Sequence, residues 1–309
     1  MESKEWKEHF QQLKIINDNI ARMEIRAMRS EIFQSTVNIV RAGEYTSENG
    51  NKITLDDQEK IISGTQFYSQ EITLDEHQLE EYDEEYLVEN KDCLDVAKEL
   101  LDEGYHPVVL NMANRHNPGG GVLYGAGAQE ENLFRRTNLF CSLYQYAPYA
   151  AQYGLPQAPE QYPMDRNHGG IYTPQAQVFR GNESEGYPLL DTPFHVSFIS
   201  VAGLCCPDVE SGKIVPQQAE RLKNKIRTIF RIALTNGHDA IVLGALGCGA
   251  FCNPPEHVAQ LFEEVADEPE FNGHFALLDF AILEDHNSHR SHNLEGNFKP
   301  FHKRFGNKF

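Results

Sequence analysis

Three consecutive glycines, Gly119-Gly120-Gly121, follow Asn114-Arg115-His116-Asn117-Pro118, and Gln129-Glu130-Glu131 stand seven residues further on. A run without Cβ atoms lets backbone amides turn outward toward anionic oxygens and lets a bulky group lie on the main chain. A carboxylate pair beside such a loop points to glycosidic-bond chemistry on a phosphate-bearing ligand. Adjacent residues in a helical turn diverge by about 100°, so Glu130 and Glu131 are expected to divide the work. One binds sugar hydroxyls, while the other reaches the scissile carbon or its leaving oxygen. The plainer reading of two acidic residues at a helix start is that they complement its dipole.

A second loop, Gly244-Ala245-Leu246-Gly247-Cys248-Gly249-Ala250-Phe251, repeats the arrangement of glycines after an apolar run and before a helix. Two such loops are able to grip one ligand from both sides. Gly125, Gly127 and Glu130 fail the dinucleotide fingerprint at its third glycine, and no Gly-Lys-Ser/Thr closes a phosphate loop. Nicotinamide oxidoreductases and nucleotide triphosphatases are therefore disfavoured.

The elements that must carry these loops read as an α/β alternation. Pro107 to Leu110 is a short buried strand and Gln129 to Leu143 a helix, giving a strand-loop-helix unit. Apolar positions spaced by three and four (Phe10, Leu13, Ile16, Ile20, then Met28, Ile32, Val37, Val40) predict helix over residues 6–42, with Gly43 as its stop. Residues 41–70 shift to turns and short alternating segments such as Lys52 to Leu55, expected at a sheet edge. The acidic stretch from Asp75 to Glu89 reads as a solvated linker or helix face. Asp92 to Glu103 is a helix ended by Gly104. Tyr144 to Leu190 reads as a long irregular insertion. Phe194 to Val201, Ala240 to Leu243 and Phe275 to Leu283 read as strands, Pro216 to Asn236 and Pro254 to Asp267 as helices, and the tail after Asp285 as peripheral.

The 309 residues suffice for one large domain or two small ones. A formal charge of −19 opposes binding of long polyanions, so direct DNA binding is not expected. A phosphate-bearing ligand stays admissible where neutral amides do the local work. No segment approaches the roughly 18 apolar residues of a membrane span, and the polar start lacks a secretory leader, so the reading is cytoplasmic. Six scattered cysteines fit thiols in a reducing compartment.

The spacing Gly-Gly-Gly, seven residues, Gln-Glu-Glu resembles the signature of poly(ADP-ribose) glycohydrolases, and of their microbial-type branch in particular. Asn-Pro-Gly-Gly-Gly at 117–121, Ala-Gln-Glu-Glu at 128–131, Gly-His-Asp-Ala at 237–240 and Leu-Gly-Ala-Leu-Gly-Cys-Gly-Ala-Phe at 243–251 occur in that order. The resemblance runs from about Met28 to about Leu283. It implies a macrodomain, an α/β fold of three layers with a mixed sheet flanked by helices. The catalytic domain would span 44–285, with an N-terminal helical extension at 1–43 and a polar tail at 286–309.

The same resemblance implies hydrolysis of ribose-ribose O-glycosidic bonds in poly(ADP-ribose), releasing ADP-ribose from the chain end. Glu131 would donate a proton to the departing ribose oxygen and then deprotonate the attacking water. Glu130 and Gln129 would hold the ribose, Gly119, Gly120 and Gly121 with Gly247, Cys248, Gly249, Ala250 and Phe251 would embrace the diphosphate, and Asn114 or Asn117 would contact a ribose hydroxyl. No metal or other cofactor is implied; partners would be poly(ADP-ribose) or ADP-ribosylated proteins. Cys252 stands where the family leads one to expect a glycine. Rival readings are a non-catalytic ADP-ribose reader and a mono-ADP-ribosyl-protein hydrolase.

Other residues rank lower. Cys248, Cys252 and His257 supply too few convergent ligands for a metal site. Cys141 reads as core packing. His286, His289 and His292 read as a solvated loop. One of Tyr144, Tyr146, Tyr149, Tyr153, Tyr162 and Tyr172 is available to stack on adenine, although loop tyrosines more often pack on each other.

Overall fold

The computed structural model describes residues 2–75, 79–284 and 288–306. In chain order the elements are α1 (Ser3–Ile16), α2 (Asn19–Ala42), β1 (Glu44–Thr46), β2 (Lys52–Thr54), α3 (Glu59–Gly64), β3 (Gln66–Tyr68), β4 (Glu85–Glu89), α4 (Cys93–Glu103), β5 (Pro107–Met112), α5 (Gln129–Arg136), α6 (Leu139–Leu143), β6 (Gly170–Arg180), β7 (Leu189–Val201), β8 (Val209–Glu210), β9 (Lys213–Ile214), α7 (Pro216–Thr235), β10 (Ala240–Leu243), α8 (Pro255–Ala266), β11 (Leu277–Ala281) and α9 (Phe298–Phe305). The chain divides into two compact units. One comprises Met1–Thr65, His116–Pro163 and Thr173–Val196; the other comprises Gln66–Arg115, Met164–Tyr172 and Ser197–Phe309.

A seven-stranded sheet has the order β3-β6-β7-β5-β10-β11-β4, antiparallel at β3–β6 and parallel at β7–β5, β5–β10, β10–β11 and β11–β4; β3, β4, β5, β10 and β11, with residues 170–172 of β6 and 197–201 of β7, fall in the second unit. This is the mixed, helix-flanked sheet of the expected fold class. Side chains alternate across it: Val108, Leu110, Ile241, Leu243, Leu278 and Phe280 join one core with Leu222, Ile226 and Ile229 of α7, Val258 and Phe262 of α8, and Phe301 and Phe305 of α9. Each such side chain contributes roughly 2 kcal/mol by leaving water. Helix α4 packs on β5 and β10. Its Asp92 cap accepts from Leu94 N at 2.9 Å, and Gly104 closes it at φ 96°.

In the first unit, α1 and α2 meet through Trp6, Phe10, Leu13, Ala21 and Met28, with Trp6 stacked on Phe10 and edge-on to Tyr187. Helical periodicity continues through residues 6–42, yet the helix breaks at Asn17, which is left-handed, and restarts at Asp18, whose carboxylate caps Ala21 N at 2.7 Å. Gly43 ends α2 at φ 72°, as expected. Lys52–Thr54 is a strand, but it pairs only with β1 in a separate hairpin.

Four sequence expectations need correction. Glu85–Glu89, part of the acidic stretch, is edge strand β4, because Tyr86 and Val88 alternate with the charges and it pairs along β11. Within the supposed irregular insertion, Gly170–Arg180 is strand β6; Pro174 and Gln175, the latter at φ 44°, interrupt the alternation that would have marked it. The helix expected over residues 129–143 stops after Arg136: Thr137 turns extended to bridge Val178, its hydroxyl donating to Leu133 O and accepting from Leu139 N. The tail is not peripheral, since α9 inserts Phe301 and Phe305 fully into the core and Phe305 stacks on Phe280 and Tyr86. No helix among the described residues is long and apolar enough to cross a membrane.

Candidate active site

The first glycine loop and helix α5 lie together in the first unit. Gly119 N donates to Glu130 Oε1 at 3.0 Å, and Gly121 N donates to Glu131 Oε1 at 2.8 Å. Both carboxylates are buried, with Glu130 3% and Glu131 7% exposed. Both carboxylates come to the same loop, each held by its own amide, and a Cβ on Gly120 would lie 2.4 Å from Glu131 Oε1 and 3.2 Å from Glu130 Oε2. Gly120 N is meanwhile taken up by Asn117 O at 2.9 Å. This revises one expectation: in this structure the three glycine amides do not face outward but anchor the acidic pair and close the loop.

Glycine is required here by space. A Cβ on Gly119 would meet the Phe134 ring at 2.5 Å, and one on Gly120 would meet Glu131 Oε1 at 2.4 Å; both residues also have positive φ, 75° and 54°. Glu131 Oε2 is buried and has no hydrogen-bond partner among the described residues, so one oxygen of this carboxyl is held and the other is not. A buried acceptor without a partner costs about 1–3 kcal/mol and is expected where a site has work for it.

Residues that sequence reasoning missed hold α5 in place. Arg135, fully buried, donates from Nε to Tyr187 Oη at 2.7 Å and from Nη1 to Ala126 O at 2.8 Å. Thr36 of α2 donates to Arg135 O at 2.5 Å. Arg29 of α2 forms a two-point pair with Glu183, at 2.7 Å each, and Tyr187 donates to the same carboxylate at 2.8 Å. Burial raises the Glu183 carboxyl and the Arg29 guanidinium lowers it, with the net below the ordinary value. The only local signal was the Arg135-Arg136 pair in the last turn of a short helix.

Of the six loop tyrosines, Tyr144, Tyr149 and Tyr153 pack on one another, with Tyr144 also against Phe33, Phe134 and Phe140. Burial, then Tyr153 and Glu130, push the Tyr149 hydroxyl up to about 12, and burial raises Tyr162 far above its usual range with Glu130 adding to the rise. Tyr172 instead lies in the second unit, where its hydroxyl reaches Ser197 and His238.

Asn114 and the second glycine loop belong to the second unit. Strands β5 and β10 are parallel neighbours, so the chain leaving β5 toward Asn114 and the loop leaving β10 emerge at one sheet edge. Asn253 shapes that loop: its Nδ2 donates to Leu204 O, Gly247 O and Phe251 O at 2.7, 2.9 and 3.1 Å. A Cβ on Gly247, φ 76°, would collide with that amide at 2.5 Å. From the tail, His292 Nε2 and Asn293 Nδ2 donate to Cys248 O, giving these residues a structural role; His286 lies outside the described residues. Cys248 itself is fully buried, burial drives its thiol far up, and its N–H donates to Ala245 O at 3.0 Å. Cys252 takes the left-handed φ of 59° that a glycine would adopt freely. The motif at 237–240 is a structural turn, in which Asp239 accepts from His106 N at 2.7 Å and His238 stacks on His106. Among the described residues no group of three or more His, Cys, Asp or Glu is arranged to hold a metal ion.

Residues 33–181 match the family described as microbial-type PARG, catalytic domain. No curated protein matches the chain. Among solved structures, poly(ADP-ribose) glycohydrolase from Thermomonospora curvata bound to the inhibitor ADP-HPD is 27% identical, with a TM-score of 0.72, covering 91% of this chain and all of that one. The glycohydrolase from Deinococcus radiodurans in complex with ADP-ribose is 26% identical, with a TM-score of 0.64, covering 83% of this chain and all of that one. Through residues 33–181 the chain therefore resembles the catalytic domain of the microbial-type poly(ADP-ribose) glycohydrolases.

Proposed function

We propose that this chain hydrolyses the ribose-ribose O-glycosidic bonds of poly(ADP-ribose), releasing ADP-ribose, with Glu131 as the group that moves the proton. The observation that carries the role is the state of its carboxyl: Oε1 anchored on Gly121 N–H, Oε2 buried without a partner among the described residues. A proton passes from Oε2 to the departing ribose oxygen as the anomeric C–O bond breaks. The oxocarbenium-like centre is stabilised by carboxylate and diphosphate charge. Water then adds to the anomeric carbon and returns a proton to Glu131, so the enzyme is regenerated.

Glu130, fixed on Gly119 N–H, is assigned to the ribose hydroxyls together with Gln129. Asn114 and Asn117 take further hydroxyl contacts. The diphosphate falls to the main chain of Gly247 to Phe251 and, when the substrate competes for them, to the amides of Gly119 to Gly121. Release from the chain terminus is the preferred mode, and ADP-ribosylated proteins carrying the polymer are the partners. Thiol cysteines suit the reducing cytoplasm, where we place the enzyme.

Incubating the protein with poly(ADP-ribose) and separating products by chromatography tests the reading; ADP-ribose should accumulate. Binding of ADP-ribose by calorimetry with no turnover of the polymer would instead select a reader. Terminally labelled polymer should lose its label before the mean chain length falls, and an early drop in length would reject terminal release.

A further inference from the structure

Three thiols that the reaction does not use gather beside the second glycine loop. Cys205 and Cys206, on the segment after β7, are exposed, and Cys252, directly after Phe251, is half-buried. Cys206 is the thiol neighbour of both Cys205 and Cys252, and Cys252 Sγ donates to Ala250 O at 3.6 Å. Cys206 N also donates to Phe251 O at 2.8 Å, so one backbone hydrogen bond joins the two segments next to the thiols. Cys206 and Cys252 are both left-handed, at φ 46° and 59°, a conformation that costs an L-residue about 1 kcal/mol. Only seven non-glycine residues among those described adopt it, and two of them are these cysteines, on segments joined by the Cys206 N–H to Phe251 O bond. Burial and the Cys206 neighbour push both Cys205 and Cys252 above the usual thiol range.

We infer that Cys206 and Cys252 are a reversible oxidation site, forming a disulfide with hydroperoxides that staples the second glycine loop to the segment after β7. Cys206, the exposed member of the pair, attacks the peroxide; the O–O bond breaks, sulfur becomes a sulfenic acid and the leaving oxygen departs protonated. Cys252 then displaces water from that sulfur. Together the two thiols give up two electrons and two protons, and hydrogen peroxide is reduced to two waters. Cys205 is the weaker resolving partner: neighbouring Cα atoms lie about 3.8 Å apart across a trans peptide, below the roughly 4.4–6.8 Å that a disulfide prefers. The inference concerns the loop itself and holds whatever ligand the loop binds.

The test treats the full chain with a small excess of hydrogen peroxide, then counts thiols under denaturing conditions and maps peptides by mass spectrometry. Two thiols per chain should disappear and return with dithiothreitol, and the peptide of Cys252 should be joined to that of Cys206. Cys205→Ser keeps the link and so identifies Cys206 as the partner. Cys252→Ser abolishes it and leaves a sulfenic acid at Cys206 that dimedone traps. Amide exchange across Gly247 to Phe251 should slow about ten-fold in the oxidised form. Unchanged thiol counts, a Cys205–Cys206 bond, a bond between two chains, or unaltered loop exchange would each overturn the inference.

Discussion

Gly120 and Glu131 stand so close that a single added methyl would lie 2.4 Å from the carboxyl oxygen Oε1. The triple glycine is thus a receptacle for a carboxylate, and its tolerance is sub-ångström. Gly120→Ala is expected to displace Glu131 and lower kcat by about a hundred-fold, with circular dichroism unchanged. Near-normal turnover of a folded Gly120→Ala protein would show that Glu131 needs no such placement.

Glu131→Gln keeps size and the Gly121 contact but removes the transferable proton. Turnover of poly(ADP-ribose) should fall by roughly 10²- to 10⁴-fold, while calorimetric affinity for ADP-ribose changes only a few-fold. Retained activity would remove Glu131 from its role. Glu130→Gln should act more on KM, as suits a residue that holds ribose.

Much of this site was legible because its parts are neighbours in sequence. A glycine run and an acidic pair ten residues apart lie within one strand-loop-helix unit, where spacing alone dictates contact. What supports them was not legible. Arg135 meets Tyr187, Arg29 meets Glu183 and Asn253 meets Leu204 across separations that no local period encodes. Strand β6 was hidden by Pro174 and the positive φ of Gln175, and β4 by the charges that bracket Tyr86 and Val88. Helix α9 was readable in principle, since Phe298, Phe301 and Phe305 follow helical spacing, but the surrounding polar residues outweighed it.

The Arg29–Glu183 pair is largely buried, with side chains 11% and 21% exposed. Arg29→Ala would leave Glu183 desolvated and uncompensated, costing about 3 kcal/mol. Chemical denaturation should register that loss, and activity should fall with it as α5 loosens. A double variant, Arg29→Met with Glu183→Leu, should recover part of the stability; no recovery would mean that the pair is not what matters.

Asp279, in the penultimate strand β11, is buried with Oδ1 unpartnered among the described residues, and burial, then the Glu89 carboxylate, push its carboxyl up to about 7. An unfolded Asp titrates near roughly 3.9. Between those values the folded state binds more protons than the unfolded state, so this group's contribution to stability is lost as pH rises from about 4 to 7. Asp279→Asn removes the titration. Its stability relative to wild type should therefore improve between pH 4.5 and pH 8, by on the order of 3 kcal/mol, measured by urea unfolding. Parallel stability curves would reject the assignment.

Phe305→Ala should destabilise the second unit by about 3–5 kcal/mol, since this ring stacks on Phe280 at 4.6 Å and on Tyr86 at 5.3 Å. A thermal melt unchanged by the substitution would return the tail to a peripheral role.

Helix α2 begins well before residue 33, and its earlier turns pack on the loop before α5: Gly125 lies where a Cβ would strike Arg26 O, and Gly127 where one would strike Arg29. A gene fragment trimmed to residues 33–181 would sever these supports and leave the loop before α5 unbraced. Anyone shortening the protein for labelling, fusion or screening should keep the start of α2, at Asn19, attached.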